Sequence, residues 1–171
     1  MVYDVPAFAG IKLDVEMVLR LARHPNVVGF KDSSGDMATF RRLAEMLSDR
    51  REFYLLQGKE HLLLDSLSAG ASGFVVSLVH LDPRPFVGLL QASRAGSDDK
   101  ARSLQTRITA LMNWIVSTFG KRPGTSTLFH ALNVALRERG VCDNILLAHE
   151  GETPDWLRAE TLQAVRNLGP E

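Results

Sequence analysis

The sequence has one cysteine, no net charge and no long apolar run, and each of these absences excludes a class of protein. Cys142 alone cannot form an intramolecular disulfide or a cysteine-rich zinc site. The 20 Lys and Arg residues balance the 20 Asp and Glu residues, which argues against nucleic-acid or anionic-membrane partners. No stretch approaches about 18 consecutive apolar residues, so no membrane-spanning helix is expected. The first residues lack the pattern of a secretory signal, and we expect a reduced, cytoplasmic protein.

Sequence motifs for metals, phosphate loops and serine nucleophiles are also missing. The five histidines show no i, i+4 pairing and no carboxylate at ligand spacing, so no metal site is predicted. No Walker loop is present. The segment Gly70-Ala71-Ser72-Gly73 only approaches a nucleophile elbow, because Phe74 stands where the final glycine is required.

Three short apolar runs alternate with amphipathic patterns in the first 95 residues. The runs are Val27–Phe30, Phe53–Leu56 and Gly73–Val76, and none of them alternates with polar residues. Such runs are typical of strands buried on both faces of a parallel sheet. Helical patterns follow at about residues 14–24, 36–47, 59–69 and 82–95. The order of strands and helices predicts an α/β fold.

The chain changes character after residue 96. Residues 97–119, 125–139 and 154–168 predict three helices with no strand between them. Val2 and Tyr3, at the opposite end, read as the last residues of a fourth strand. So few strands suggest the later part of a larger barrel, with residues 1–95 as a partial barrel and residues 96–171 as a helical extension of the same domain.

Lys31 and Tyr3 are the residues best placed for chemistry. Lys31 directly follows the run Val27–Phe30, at the carboxyl end of a predicted buried strand, where α/β folds place their active sites. A partly desolvated lysine there can attack a carbonyl and form a Schiff base. A phenol at the same edge can relay protons in a carbonyl reaction. The alternatives are a lysine that leaves the sheet into solvent and an aromatic residue that ends a strand.

Two segments resemble those of a known enzyme family. Tyr3–Gly10 reads YDVPAFAG and is similar to the pattern Y-N-x-P-x-x-T-G. His24–Asp36 reads HPNVVGFKDSSGD and is similar to h-p-N-i-x-G-x-K-[DE]-[AS]-[ST]-G-[DN]. Both patterns belong to the pyruvate-dependent class I aldolases and lyases typified by dihydrodipicolinate synthase and N-acetylneuraminate lyase. The resemblance continues through Gly58, Gly70 and Gly73 and covers essentially the whole chain.

The resemblance implies the C-terminal half of a (β/α)₈ TIM barrel, from the end of strand 5 to strand 8, with a three-helix C-terminal tail. It implies that Lys31 forms a Schiff base with pyruvate or another 2-oxo acid and that Tyr3 shuttles protons. It also implies that the backbone carbonyl of Val75 faces the substrate. The imine itself is the electron sink, so neither an organic cofactor nor a metal is implied. The family commonly forms tetramers, so we expect a homo-oligomer.

The chain also departs from the family pattern. The G-T-T-G-E segment that binds the pyruvyl carboxylate has no counterpart here, and a full barrel needs about 250 residues. Asp4 replaces the usual asparagine and Ala9 the usual threonine, which puts the hydrogen bonding around Tyr3 in question. Gln57 replaces a small residue, and it either alters the pocket floor or is neutral.

The sequence supports three hypotheses about function. The first is a lyase or aldolase of which the chain is the C-terminal portion. The K-D-S-S-G-D form of its lysine segment resembles that of family members acting on 2-keto-3-deoxy sugar acids or 4-hydroxy-2-oxoglutarate more than that of strict lysine-biosynthesis enzymes. The second is a non-catalytic homologue that serves as an oligomerisation or assembly module. The third is a half-barrel that pairs with its own copy to close the sheet. We expect poor turnover by the isolated chain, because the carboxylate-binding threonines are absent.

Overall fold

The computed structural model of the protein describes residues 1–121, 126–145 and 152–167. Strands and helices alternate in the first part of the chain, and helices alone occupy the described residues after it. The elements are β1 (Val2–Asp4), α1 (Pro6–Ala9), α2 (Val15–Ala22), β2 (Gly29–Asp32), α3 (Met37–Met46), β3 (Tyr54–Gln57), α4 (Leu63–Ser68), β4 (Gly73–Phe74), α5 (Arg84–Arg94), α6 (Asp98–Lys121), α7 (Ser126–Glu138) and α8 (Asp155–Asn167). Two 3₁₀ helices, Glu60–Leu62 and Ser77–His80, precede α4 and α5.

The four strands form one parallel sheet in the order β1-β2-β3-β4. Each new strand therefore adds beside the previous one, with a helix in the connection, as in a barrel wall. The register pairs Tyr3 with Lys31, Lys31 with Leu56 and Leu56 with Gly73. Side chains that are paired across a parallel sheet point to the same face. These four residues therefore form one row across the sheet.

Helices cover one face of the sheet and leave the other open. Phe30 and Leu55 point to the covered face. The buried cluster around them consists of Val18, Ala22, Phe40, Leu43, Ala44, Leu47 and Phe53. Burial of such side chains supplies about 25 cal/mol per Å² of apolar area. On the other face, Tyr3 and Tyr54 remain 48% and 50% exposed. Among the described residues of the first unit, the packed core of the sheet therefore lies on its helix-covered face.

The predicted α/β alternation is confirmed, although the strand boundaries differ from the apolar runs. The second strand begins at Gly29 rather than at Val27, and it ends at Asp32. Lys31 consequently lies inside the strand and not after it. The reason is that the backbone ladder continues past the apolar run, since β1 and β3 both offer partners as far as Asp32. The apolar pattern reports burial, whereas the strand is defined by backbone pairing.

The chain divides into two compact units. The first consists of Met1–Val76 with Gly88–Gln105 and contains the whole sheet. Within it, the side chain of Gln105 accepts a hydrogen bond from the backbone N–H of Leu64 and donates one to the carbonyl of Glu60. These two bonds join α6 to the connection after β3.

The second unit consists of Ser77–Val87 with Thr106–Glu171 and is helical in its described parts. The Asn133 side chain accepts a hydrogen bond from the backbone N–H of Ile145, and Arg139 donates one to the carbonyl of Leu81. The predicted helices at 125–139 and 154–168 correspond to α7 and α8, with residues 125 and 168 outside the described ranges.

Within residues 1–121, 126–145 and 152–167, no helix is both long enough and apolar enough to cross a bilayer.

Helix α3 begins with a side-chain cap that connects it to the lysine strand. The carboxylate of Asp36 accepts hydrogen bonds from the backbone N–H groups of Ala38 and Thr39 and from the Thr39 hydroxyl. The backbone hydrogen bond from Thr39, followed by the hydroxyl bond, lowers the pKa of Asp36 below its ordinary value of 3.8. Because the folded-state pKa is depressed, the cap stabilises the fold above the unfolded-state pKa and is lost as the pH falls through the folded-state pKa.

We predict that Asp36→Ala lowers the free energy of unfolding at neutral pH by about 1 kcal/mol, because two helix N–H groups lose their acceptor. Urea titrations monitored by circular dichroism measure this difference. Asp36→Asn is the matched control, since its amide oxygen still caps the helix. The difference between wild type and Asp36→Ala shrinks below pH 3.8. A difference that stays constant into that range contradicts the assignment of an ionised cap.

Candidate functional site

Tyr3 and Lys31 lie side by side on the open face of the sheet. Their backbones are directly paired across β1 and β2. The Nζ atom of Lys31 lies 4.2 Å from the centroid of the Tyr3 ring, within the range of a cation–π contact. Lys31 is half-buried, and the ring of Tyr3 is 48% exposed. The structure thus brings a primary amine and a phenol together, and their chemical roles remain predictions.

Val75 lies two strands away from Lys31 at the same edge of the sheet. It directly follows β4, and its backbone N–H donates to the carbonyl oxygen of Gln57 at 2.9 Å. Its side chain is 52% exposed. The predicted role of its carbonyl toward a substrate stays a prediction.

Gly58 allows the end of β3 to approach the lysine closely. A Cβ atom at this position would lie 3.1 Å from Lys31 Cε and 2.8 Å from the carbonyl oxygen of Asp32, and it would collide with the hydroxyl of Ser33. Any larger residue therefore displaces the lysine stem, the Ser33 side chain or the backbone. The sequence signal for this contact is a glycine placed directly after a buried strand, which typically marks close approach of two backbones or side chains.

Asp4 lies on the opposite face from Tyr3 and is held by an ion pair. Its side chain is fully buried, with Lys12 Nζ 2.7 Å from Oδ2 and the backbone N–H of Leu13 donating to Oδ1 at 3.2 Å. A buried carboxylate requires such a partner, because uncompensated charge is costly in a protein interior. The replacement of the usual asparagine is therefore matched by Lys12, and both Asp4 oxygens are engaged away from the Tyr3 ring.

Asp32, the neighbour of Lys31 in sequence, organises the loop that follows the lysine strand. Its Oδ1 accepts hydrogen bonds from the backbone N–H and from the hydroxyl of Ser34, at 2.8 and 2.6 Å. The Ser34 hydroxyl oxygen in turn accepts from the N–H of Asp36, the α3 cap. This chain of bonds connects the strand to helix α3. The other carboxylate oxygen, Oδ2, is buried without a hydrogen-bond partner among the described residues.

Gln57 points to the helix-covered face of the sheet and is not part of a pocket floor beside Lys31. Its Nε2 donates to the Ser66 hydroxyl at 2.7 Å. Its Oε1 accepts hydrogen bonds from the backbone N–H groups of Gly58 and Lys59, both at 2.9 Å. The fully buried amide thus fixes the turn after β3 to helix α4. The sequence shows that Gln57 is unusual at this position but not which face of the sheet it occupies.

In the described parts of the chain, no three or more His, Cys, Asp or Glu side chains come together in a group that could hold a metal ion. The carboxylates at this edge are instead engaged with the protein itself. Asp4 binds Lys12, and Asp32 binds Ser34.

Comparison with known proteins gives consistent matches. Residues 1–145 match the sequence model of the Dihydrodipicolinate synthetase family. A 4-hydroxy-tetrahydrodipicolinate synthase from Methanoculleus marisnigri is 36% identical over 110 residues, which cover 64% of this chain and 38% of that protein.

Two solved structures have the same fold. Dihydrodipicolinate synthase from Bacteroides thetaiotaomicron superposes with a TM-score of 0.83 at 26% identity, over 96% of this chain and 54% of that one. A prophage protein of the dihydrodipicolinic acid synthase family from E. coli K12, solved in complex with pyruvate, gives a TM-score of 0.81 at 21% identity over 97% and 54%. The chain thus spans about half the length of these solved relatives. Its sheet and helices form a partial (β/α)₈ barrel.

We predict that Gly58→Ala disturbs the lysine environment, because the new methyl group overlaps Ser33 and the Lys31 stem. Overpacking of this kind costs about 1–3 kcal/mol, and urea titration measures the cost. Gly73→Ala is the matched control. Gly73 lies in the same row as Lys31, but its added Cβ meets only Leu56 Cδ2, at an ordinary 3.8 Å. Equal destabilisation by the two substitutions contradicts the close approach at Gly58.

Proposed function

Because the chain belongs to the dihydrodipicolinate synthetase family, we propose that Lys31 forms a Schiff base with the keto group of pyruvate or another 2-oxo acid. The observation that carries the proposal is the direct pairing of Lys31 with Tyr3 on the open face of the sheet. An amine that attacks a carbonyl needs a nearby group that transfers protons. The phenol of Tyr3 lies beside the Lys31 amine.

The proposed reaction begins when the neutral Nζ of Lys31 adds to the C2 carbonyl of the 2-oxo acid. Loss of water from the resulting carbinolamine gives a protonated imine. When the substrate carries a hydroxyl group on C4, cleavage of the C3–C4 bond sends its electron pair toward the imine nitrogen. The C4 hydroxyl gives its proton to the Tyr3 relay, the C4 fragment leaves as an aldehyde, and a neutral enamine remains on Lys31. Protonation and hydrolysis then release pyruvate, and the reverse sequence is a condensation.

Tyr3 is proposed as the proton relay in these steps. Carbinolamine formation and dehydration both require a proton at the substrate oxygen. The phenol is placed beside the lysine, and its ring is partly open to solvent, from which protons are exchanged. The contact between Lys31 Nζ and the Tyr3 ring also restricts the orientation of the lysine side chain.

The carboxylate of the proposed substrate is assigned to residues outside this chain. In the family pattern it is bound by the G-T-T-G-E segment, which this sequence lacks. We therefore expect the isolated chain to form the imine slowly and to turn over poorly, because the residues that bind the substrate carboxylate in the family pattern are missing from this sequence. A homo-oligomer and a cytoplasmic setting are part of the proposal; the single cysteine supports the latter.

The open sheet face supports assembly with another chain as a second candidate function. Met1, Tyr3, Tyr54 and Val75 are each about half exposed in the first unit, and β1 and β4 are the edge strands of the sheet. Unpaired edges and apolar side chains of this kind are usually covered by further protein. In this alternative the lysine has no chemical role, so imine formation separates the two candidates.

We predict that pyruvate and borohydride attach one carboxyethyl group to the chain, at Lys31, because reduction of the imine makes the bond permanent. Intact-mass spectrometry measures the adduct, and peptide mapping locates it. Lys31→Arg keeps the positive charge but forms no imine, and it is expected to remain unmodified. Lys100→Arg, on the exposed face of α6, is the matched control and is expected to react like wild type.

Absence of an adduct in a sample with native circular dichroism contradicts the proposed function and favours the assembly alternative. An adduct distributed over several lysines also contradicts it, because the proposal requires one activated amine. Pyruvate is the first probe to use because a protein of the same fold has been solved with it.

A further inference from the structure

Lys12 ties the end of β1 to the loop that precedes α2. Its Nζ atom lies 2.7 Å from Oδ2 of Asp4 and also donates a hydrogen bond to the carbonyl of Leu13, at 2.9 Å. The backbone N–H of Leu13 donates to Oδ1 of Asp4 at 3.2 Å. Asp4, Lys12 and Leu13 therefore form a closed set of three hydrogen bonds at the carboxyl end of β1.

β1 is a short edge strand with few other attachments. It has three residues and pairs only with β2. Tyr3, its middle residue, points to the open face and remains 48% exposed, so its packing contributes little. Val2 packs against the buried cluster at the other end of the strand. The carboxyl end is held at Asp4, whose carbonyl accepts a hydrogen bond from the N–H of Ser33 at 2.8 Å and whose side chain is bonded to Lys12.

The carboxyl group next to Asp4 makes the charge of Lys12 more important. Asp4 and Asp32 are paired across β1 and β2 and point to the same face, with their strands about 4.8 Å apart. Both are buried, and Oδ2 of Asp32 has no hydrogen-bond partner among the described residues. Over the described ranges, Lys12 is the one cationic side chain within 4.0 Å of either carboxyl group. Without it, a buried carboxylate loses its counter-charge, which is costly.

The charge of Lys12 also acts on the loop after β2. The hydrogen bonds from Thr39 are the largest cause of the lowered pKa of Asp36, and the positive charge of Lys12 lowers that pKa further. Asp36 caps α3 and belongs to the chain of hydrogen bonds that begins at the lysine strand. Lys12 thus acts on acidic groups at the end of β1 and in the loop after β2, the two connections that flank the candidate site.

We propose that Lys12 is a positioning residue that holds the end of β1 through Asp4 and thereby keeps Tyr3 beside Lys31. This inference rests on the proposed Schiff-base function. Lys12 touches no substrate and transfers no proton, because its ammonium group is bonded to Asp4 on the face opposite to Tyr3.

The effect of Lys12 is on the distance between the phenol and the amine. A buried carboxylate that loses its counter-ion is stabilised by moving toward water, and the end of an edge strand is free to move with it. Such a shift carries Tyr3 away from Lys31. Proton transfer requires hydrogen-bond reach, and a displacement of about 1 Å can slow a reaction by about 100-fold.

The test measures the rate at which pyruvate and borohydride label Lys31 in the full chain, in samples with native circular dichroism. We expect Lys12→Met to slow labelling about tenfold and Lys12→Arg, which keeps the charge, to retain most of the rate. Asp4→Asn combined with Lys12→Met is expected to restore the rate, because a neutral amide needs no counter-ion. Lys100→Met is the control for loss of one positive charge. Lys12→Gln, which still donates a hydrogen bond, replaces Lys12→Met if the latter does not fold.

A second comparison separates positioning from a general loss of stability. If Lys12 acts by holding Tyr3, then Lys12→Met adds little to the slowing caused by Tyr3→Phe, because the hydroxyl that it positions is already absent. A merely structural role of Lys12 predicts the same slowing factor in both backgrounds. The labelling rates of the two single variants and the double variant decide between these cases.

The outcomes also separate this inference from the proposed function. Equal labelling rates in wild type and Lys12→Met overturn the role of Lys12, as does equal slowing by Lys100→Met. The role is likewise overturned if Asp4→Asn fails to restore the rate, or if Lys12→Met slows Tyr3→Phe as strongly as wild type. In each of these cases, labelling of wild type at Lys31 still supports the Schiff-base function. Absence of labelling in wild type contradicts the Schiff-base function, and the role of Lys12 with it.

Discussion

The parallel register between β1 and β2 is the constraint on which the candidate site depends. Because Tyr3 and Lys31 are paired across the ladder, their side chains leave the sheet on the same face, and the amine rests 4.2 Å from the ring centroid. A shift of one residue would turn one of them into the helix-covered face. The register is itself held by that face, where Phe30 and Leu55 are packed among the side chains of α2 and α3.

The two faces of the sheet have different roles: the helix-covered face holds the structure, and the open face is proposed to carry the chemistry. Asp4, Asp32 and Gln57 form a buried polar row on the helix side, each bonded to the connection that follows its own strand. These bonds hold the loops at the carboxyl edge, including the turn that carries Gly58 and Lys59. The open face carries the groups proposed to meet the substrate. Rigid support on one side and access on the other are what a positioned nucleophile requires.

Much of this arrangement is visible in the sequence, and the remainder depends on three-dimensional contacts. Apolar runs and helix caps predict the α/β alternation because burial and capping act over a few residues. The lysine segment carries the family resemblance. Three features could not be predicted, because each depends on which strands are neighbours and on their register. They are the ion pair of Lys12 with Asp4, the orientation of Gln57 and the lack of room at Gly58.

The rate of imine formation after removal of the phenol beside Lys31 shows whether Lys31 and Tyr3 act together. Tyr3→Phe keeps the ring and the cation–π contact but loses the proton relay. Tyr54→Phe is the matched control, since Tyr54 is the only other tyrosine in the sequence and is equally exposed. Timed borohydride quenching with pyruvate is predicted to show Lys31 labelling slowed about 100-fold in Tyr3→Phe and unchanged in Tyr54→Phe. Equal rates in wild type and Tyr3→Phe would contradict the joint action of Lys31 and Tyr3.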